Sequence, residues 1–398
     1  MPDISDRGML MPPSPIRKLV PFAEAAKKRG THVYHLNIGQ PDIETPPAVI
    51  DAVRKADIKV LEYSHSAGNE SYRRKLVEYY KKVGIDITHE QIIITAGGSE
   101  AIVFAFMCCM DPGDEVIIPE PFYANYNGFA VMAGVNVVPI PSSIDTGFAL
   151  PPIDEFRKVI TPRSKAIMIC SPNNPTGYLY SRSEMEALKA ICVEKGLYLF
   201  SDEAYREFCY DGGYVSAMHL SGMDDHIILM DTVSKRYSAC GARIGAFVTR
   251  NKRVYAAAMK FAQARLSPPG LGQILGEAAI SLPDSYFDAP KAEYKARRDL
   301  LVGRLQKMPG VTCPNPGGAF YAIARLPIDD SDRFCQWLLE SFSHEGQTVM
   351  LAPATGFYGT PGLGKDEVRL AYVINQGSIS RAMDCLEQAL QVYPGRKA

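Results

Sequence analysis

Two rhythms of apolar and polar positions alternate along the chain. Short runs rich in Ile, Val and Leu recur at residues 91–95, 115–118, 136–139, 165–170, 197–201, 227–230 and 244–249. They are too short for helices, and turn residues bound them, as expected of strands buried on both faces. Segments with helical spacing separate them, such as 183–195 and the apolar stretch that follows Ala96 to Glu100 and ends near Met110. That alternation predicts an α/β fold with a mostly parallel sheet covered by helices on both faces. Upstream, residues 1–15 hold four prolines and little periodicity, which reads as an extended arm. Residues 16–29 have helical spacing and stop at Gly30, 32–38 reads as a strand, Pro46 and Pro47 open a helix to Lys55, and 70–83 is strongly amphipathic.

The rhythm changes after Gly272. Residues 286–307 form a long charged helix, a bridge to a smaller α+β domain with strands at 318–325, 348–351 and 367–373 and helices at 332–343 and 378–391. The expected division is residues 1–45 as an N-terminal arm and part of the small domain, 46–285 as the large domain, and 286–398 as bridging helix and small domain.

Charge and composition exclude several classes. Among 398 residues, 43 are basic and 44 acidic, so nothing favours nucleic acid or an anionic membrane as partner. No apolar run nears the roughly 20 residues of a membrane span, and the N-terminus lacks the basic-then-apolar order of a leader. A cytoplasmic protein is expected. Nine cysteines without a CxxC pair speak against zinc and redox motifs. They read as reduced and buried, for example Cys108 and Cys109, and no metal is expected.

The chemistry gathers at the ends of the expected strands, where open α/β sheets bind ligands. In TVSKRYSACGARIG, Lys235 lies between Ser234 and Arg236, with Arg243 beyond a run of small residues. An amine there can act as a Schiff-base nucleophile, and a second cation nearby would lower its pKa. A surface turn with two solvated cations reads the same stretch equally well. Gly97, Gly98, Ser99 and Glu100 enter a helix whose free N–H groups suit a phosphate, although Ser99 as an ordinary cap fits too. In SPNNPTG two prolines aim the asparagine amides rigidly. In SDEAY, Asp202 ends a strand and needs a cation, such as a protonated ring nitrogen, with Tyr205 near. Arg369 is alone in an apolar strand and wants a planar carboxylate, either from a ligand or from an internal salt bridge. An amine, an acid for a ring nitrogen, a phosphate cradle and a carboxylate fork together suit pyridoxal phosphate and an amino acid.

With SPNNPTG, SDEAY and SKRYSACGARIG in order and spacing, the chain resembles the class I/II, fold-type I pyridoxal-phosphate-dependent aminotransferases, and most of all aspartate aminotransferases. The likeness runs from about Ile16 to the last helix. It implies that Lys235 bonds to the cofactor and shuttles the substrate proton, and that Asp202 pairs with the ring nitrogen. Asn174 and Tyr205 bond the phenolic oxygen, and Tyr123, in EPFYANY, stacks on the ring. Gly98, Ser99, Glu100, Thr232, Ser234 and Arg243 hold the phosphate. Thr232 departs from the usual serine or glycine but keeps a hydroxyl. Arg369 grips the substrate α-carboxylate, aided by Asn174 and Gly39. Tyr63 reaches a neighbouring subunit's phosphate, implying a homodimer. The activity implied is ping-pong transamination of aspartate with 2-oxoglutarate. Alanine or aromatic substrates, or C–S lyase chemistry, are the alternatives. Arg265 is a candidate for a second substrate carboxylate, against a structural role.

Overall fold

The computed structural model describes residues 2–397. A seven-stranded sheet forms the centre, in the order Ile92–Thr95, Gly245–Val248, Ile227–Thr232, Tyr198–Asp202, Ser164–Cys170, Glu115–Glu120, Asn136–Pro141. Gly245–Val248 runs antiparallel to both neighbours, and the other pairings are parallel.

Alternate positions on each strand enter different cores, as the two-residue period of a strand requires. Ile93, Ile118, Met168, Phe200, Met230 and Phe247 pack on one side. Ile94, Ile117, Ile167, Leu199, Leu229 and Val248 pack on the other. Each such side chain, fully covered, contributes about 1.5–3 kcal/mol. The helix Gly98–Cys109 covers the first side through Ile102 and Phe106. The helices Glu70–Lys82 and Arg182–Lys195 cover the second through Leu76, Leu188 and Ile191. The last of these starts at a reciprocal cap. Ser181 Oγ accepts from Glu184 N–H, and the Glu184 carboxylate accepts from Ser181 N–H at 2.7 Å.

A second group of strands lies apart. Tyr321–Arg325 and Ala352–Pro353 flank Glu367–Ala371 antiparallel, and His32–His35 pairs in parallel with Gln347–Met350. The long charged helix spans Asp288–Leu305, and the chain closes with Gln376–Val392.

The departures from the sequence reading have local causes. The expected helix at 16–29 begins only at Val20–Lys28, because the Pro21 ring would clash with the Arg17 carbonyl if the helix extended backwards. Residues 15–19 turn instead. The supposed extended arm contains a short helix, Asp6–Leu10, capped by Ser5. Gly270–Ile280, for which the sequence reading gives no element, is a helix. A Cβ on Gly276 would lie 2.6 Å from the Tyr72 hydroxyl, so the glycine permits close helix packing. All nine cysteines are free, but Cys108 and Cys109, in the last turn of their helix, are only partly covered, as is Cys240.

Gly245 sets the seat of the functional region. A Cβ there would lie 2.5 Å from the carbonyl carbon of Gly97 and 2.7 Å from both Gly98 N and Asp231 O, all immovable backbone. Gly245→Ala is therefore expected to cost about 1–3 kcal/mol by overpacking. Denaturant unfolding measures this; an unchanged midpoint would contradict the close approach.

Candidate active site

A cavity of about 370 Å³ opens at the carboxyl ends of the central parallel strands. One end is built for an anion. The chain leaves Ile92–Thr95, turns through Gly97 at φ +85°, and enters the helix Gly98–Cys109. The first amides of that helix precede any helical hydrogen bond and are free to donate. A side chain on Gly97 would collide with the Arg243 guanidinium. Arg243 adopts φ +52°, a conformation costing about 1 kcal/mol, and donates to Cys240 O at 3.0 Å and Ala96 O at 3.3 Å. Thr232 Oγ1 donates to Ile244 O at 2.9 Å, so in its 2.8 Å contact with Ser234 Oγ the serine is the donor. Ser234 is then the hydroxyl that can swing to an anion.

Lys235 stands between this cradle and the opposite end. Its Nζ donates to Gly39 O at 3.0 Å and lies 3.8 Å from Cys240 Sγ. Asp202, nine per cent exposed, accepts from Tyr126 Oη at 2.8 Å and from Ala204 N–H at 3.2 Å. Burial pushes its carboxyl up to about 6, and those two hydrogen bonds offset only part of the shift. It is a buried acid with no cation among its partners.

The third region receives a carboxylate. Arg369, one per cent exposed, donates to Asn174 Oδ1 at 3.0 Å and to Asn37 O at 2.6 Å. Its guanidinium lies 4.6 Å and 4.7 Å from the ring centroids of Tyr321 and Phe357. Its Nε has no partner, and burial lowers its pKa. No carboxylate pairs with it among the described residues, so the internal salt-bridge reading falls away. Asn174 Nδ2 donates to Tyr205 Oη at 3.5 Å, and Tyr205 Oη meets Tyr321 Oη at 2.9 Å.

The cavity thus brings together Gly39, Gly98, Ser99, Tyr123, Asn174, Asp202, Tyr205, Thr232, Ser234, Lys235, Arg243 and Arg369. Two of the site residues read from the sequence lie outside it, one of them Tyr63, which the resemblance assigns to a neighbouring subunit's phosphate. The Glu100 carboxylate is turned away, accepting from Ala96 N–H at 2.8 Å and from Arg265 at 3.1 Å, which leaves only its amide at the helix start. Tyr63 is 76 per cent exposed. Arg265 is also absent from the lining. It also donates to Ser66 O and Ile94 O, a structural clamp. The sequence reading missed the lining residues Tyr321, Cys240, Ser14, Ile16 and Arg17, and Tyr126, which donates to Asp202 from behind the lining. Tyr126, three residues after Tyr123, had a legible signal in helical spacing. Tyr321 had none short of the tertiary fold.

The family model for aminotransferase class I and II matches residues 31–355. The chain belongs to this family. The aspartate aminotransferase of Pyrococcus horikoshii is 33% identical, over 98% of this chain and 97% of that one. Among solved structures, the Thermus thermophilus aspartate aminotransferase with maleate has a TM-score of 0.89 at 30% identity, covering 98% of this chain and 100% of its own. The alanine aminotransferase of Pyrococcus furiosus has a TM-score of 0.89 at 31% identity, covering 97% and 99%. This aminotransferase is pyridoxal-phosphate-dependent, and the donor set fits the cofactor. The acid without a cation, the amine and the amide-lined anion cradle are complementary to a ring nitrogen, an aldehyde and a phosphate.

Asp202 gives this a pH signature. Its carboxyl in the folded apoprotein lies above its unfolded value, so its contribution is fully present below pH about 4 and is lost as pH rises through about 6. Thermal melts of apoprotein and Asp202→Asn between pH 4.5 and 7 are expected to differ in slope, the wild type losing more stability with rising pH. Parallel curves would contradict the buried, unpaired acid.

Proposed function

We propose that the enzyme moves the amino group between aspartate and 2-oxoglutarate by a ping-pong mechanism, as a homodimer in the cytoplasm. The observation that carries the reading is Arg369, a buried guanidinium with no acidic partner among the described residues, in the cavity that holds Lys235 and Asp202. The names of the relatives support the choice of aspartate.

Bound pyridoxal phosphate supplies an aldehyde and an electron-accepting ring. The chain's own groups do the rest. The amides of Gly98, Ser99 and Glu100, the hydroxyls of Thr232 and Ser234 and the Arg243 guanidinium hold the phosphate. The Asp202 carboxylate would accept from the protonated ring nitrogen. Asn174 and Tyr205 would donate to the phenolic oxygen, and Tyr123 would lie against the ring. Arg369 takes the substrate α-carboxylate in a bidentate pair, with Asn174 and the Gly39 backbone beside it. The substrate Cα then faces Lys235, whose Nζ removes its proton and later returns one.

The dimer reading draws on an exposed apolar run. Val60, Leu61 and Tyr63 are 74, 65 and 76 per cent exposed, and Leu266 and Leu271 are exposed as well. A second copy covering this surface would bring its Tyr63 to this phosphate cradle. Nine free cysteines suit a reducing compartment. The likeness to an alanine aminotransferase gives alanine as a second reading for the donor. C–S lyase chemistry has no observation of its own in its favour.

Lys235→Ala is expected to lower transamination by more than about a thousandfold while leaving the fold intact, since it removes the proton-transfer group. Wild-type protein mixed with single amino acids should convert the cofactor's absorbance to its amine form with aspartate. A variant that turns over normally would sink the role of Lys235. A screen that responds to alanine and not aspartate would favour the second reading. Arg369→Leu is expected to raise KM for amino acids about 10- to 100-fold through loss of a charge-assisted bidentate pair, with cofactor affinity unchanged. Steady-state kinetics and cofactor titration check both halves.

A further inference from the structure

Four cations and one acid line the cavity: Arg17, Lys235, Arg243 and Arg369 against Asp202. Three of the cations are committed. Arg243 is bonded to Ala96 O at the anion cradle, Lys235 to Gly39 O, and Arg369 to Asn174 and Asn37 O. The Arg17 main-chain N–H is bonded, to Ser14, but its guanidinium has neither a hydrogen-bond partner nor a salt bridge among the described residues. Arg265, the arginine that the sequence offered for a second carboxylate, is spent on Glu100 and lies outside the cavity.

The backbone around Arg17 is anchored on both sides. Pro15 packs against Gly356, where a Cβ would collide with the proline ring. Gly356 adjoins Phe357, whose ring covers Arg369. On the other side Lys18 pairs with Asp332, and Leu19 is buried. Pro21 keeps residues 15–19 out of the following helix, so Arg17 stands at the mouth of the cavity rather than on a helix face.

We propose that Arg17 binds the second carboxylate of a dicarboxylic substrate, and thereby sets the preference for aspartate and 2-oxoglutarate over their monocarboxylate counterparts. This rests on the aspartate reading above. With Arg369 on the α-carboxylate and Lys235 at Cα, the substrate side chain extends toward whatever else lines the cavity. There the unpaired guanidinium offers a fork that matches a carboxylate. Charge balance agrees. The phosphate and α-carboxylate are met by Arg243, the helix start and Arg369, which leaves one positive charge at the mouth for one more negative group. Because Arg17 is exposed, its pair is partly solvated and the effect modest, about tenfold.

The test compares wild-type holoenzyme with Arg17→Gln and Arg17→Lys. The readouts are the ratio of kcat/KM for aspartate to that for alanine, and the inhibition constants of succinate and propionate. The expected result is a ratio about tenfold lower in R17Q, with a matching rise for succinate but not propionate, and intermediate values in R17K. If the wild type uses aspartate and R17Q keeps both the ratio and the succinate affinity, the assignment is overturned. Equal losses on aspartate and alanine also overturn it, by showing a structural role. If the wild type ignores aspartate and 2-oxoglutarate but accepts other amino acids, the aspartate reading itself fails and takes this inference with it.

Discussion

Everything at the site rests on a buried ion network behind it. Asp231 accepts from Arg236 at 2.6 and 3.0 Å, from Tyr80 Oη at 2.8 Å and from Arg206 at 3.4 Å. Arg206 in turn donates to Glu203 at 2.8 Å, and Glu203 accepts from the Ser216 hydroxyl and from Ala217 N–H. Each charged member of this network is the chain neighbour of a group that lines the cavity. Glu203 follows Asp202, Arg206 follows Tyr205, Asp231 precedes Thr232 and Arg236 follows Lys235. Asp231 and Thr232 are neighbours on a strand and point to opposite faces, so the first is tied into the network while the second lines the cavity. Glu203, Arg206 and Arg236 stand just past the strand ends, in the segments that carry Tyr205 and Lys235. Removing one partner from such a buried set costs about 3–5 kcal/mol, because a charge is left without compensation. The network therefore fixes the main chain under Lys235 and Asp202 and leaves their side chains free for chemistry.

Asp202 and Asp231 show how partners decide the ionisation of two buried carboxyls. Burial alone would raise both. Arg236 and Arg206 overcome it at Asp231 and hold that carboxyl down to about 2. Asp202 has a hydroxyl and an amide instead of a cation, and burial wins, pushing it up to about 6. The first is a permanent anion that binds structure together. The second is an acid whose charge depends on what enters the cavity, which is the property required of a group that must recognise a protonated ring nitrogen.

The parts legible in the sequence were those whose signal is local. Lys235, Asp202 and Asn174 stand in short motifs at strand ends, and the sheet was readable from runs of Ile, Val and Leu. The parts that were not legible depend on contacts distant in the chain. Tyr321 reaches Tyr205 across 116 residues, and Arg265 finds Glu100 across 165, so neither the partner of the first nor the structural role of the second could be seen from spacing. The helix Gly270–Ile280 was hidden by glycines that serve packing against Tyr72. The start of the helix Val20–Lys28 is set by Pro21, a local signal that the helical spacing of residues 16–29 masks, and with it the placement of Arg17 off the helix.

Three of the cavity's cations, Lys235, Arg243 and Arg369, are held by neutral acceptors. Lys235 donates to the carbonyl of Gly39 and Arg369 to that of Asn37, two residues apart on one segment, which itself accepts from Ala371 N–H through Leu36 O at 2.7 Å. A carbonyl orients a cation without neutralising it. Were either cation paired with an internal carboxylate, an incoming substrate would have to break that pair and strand a buried negative charge at a cost of several kcal/mol. With neutral acceptors, a carboxylate or an aldehyde carbon meets a positive or nucleophilic nitrogen already in position. The same segment ties the nucleophile to the carboxylate fork, so the spacing between the two is set by a few residues of backbone rather than by the flexible side chains themselves.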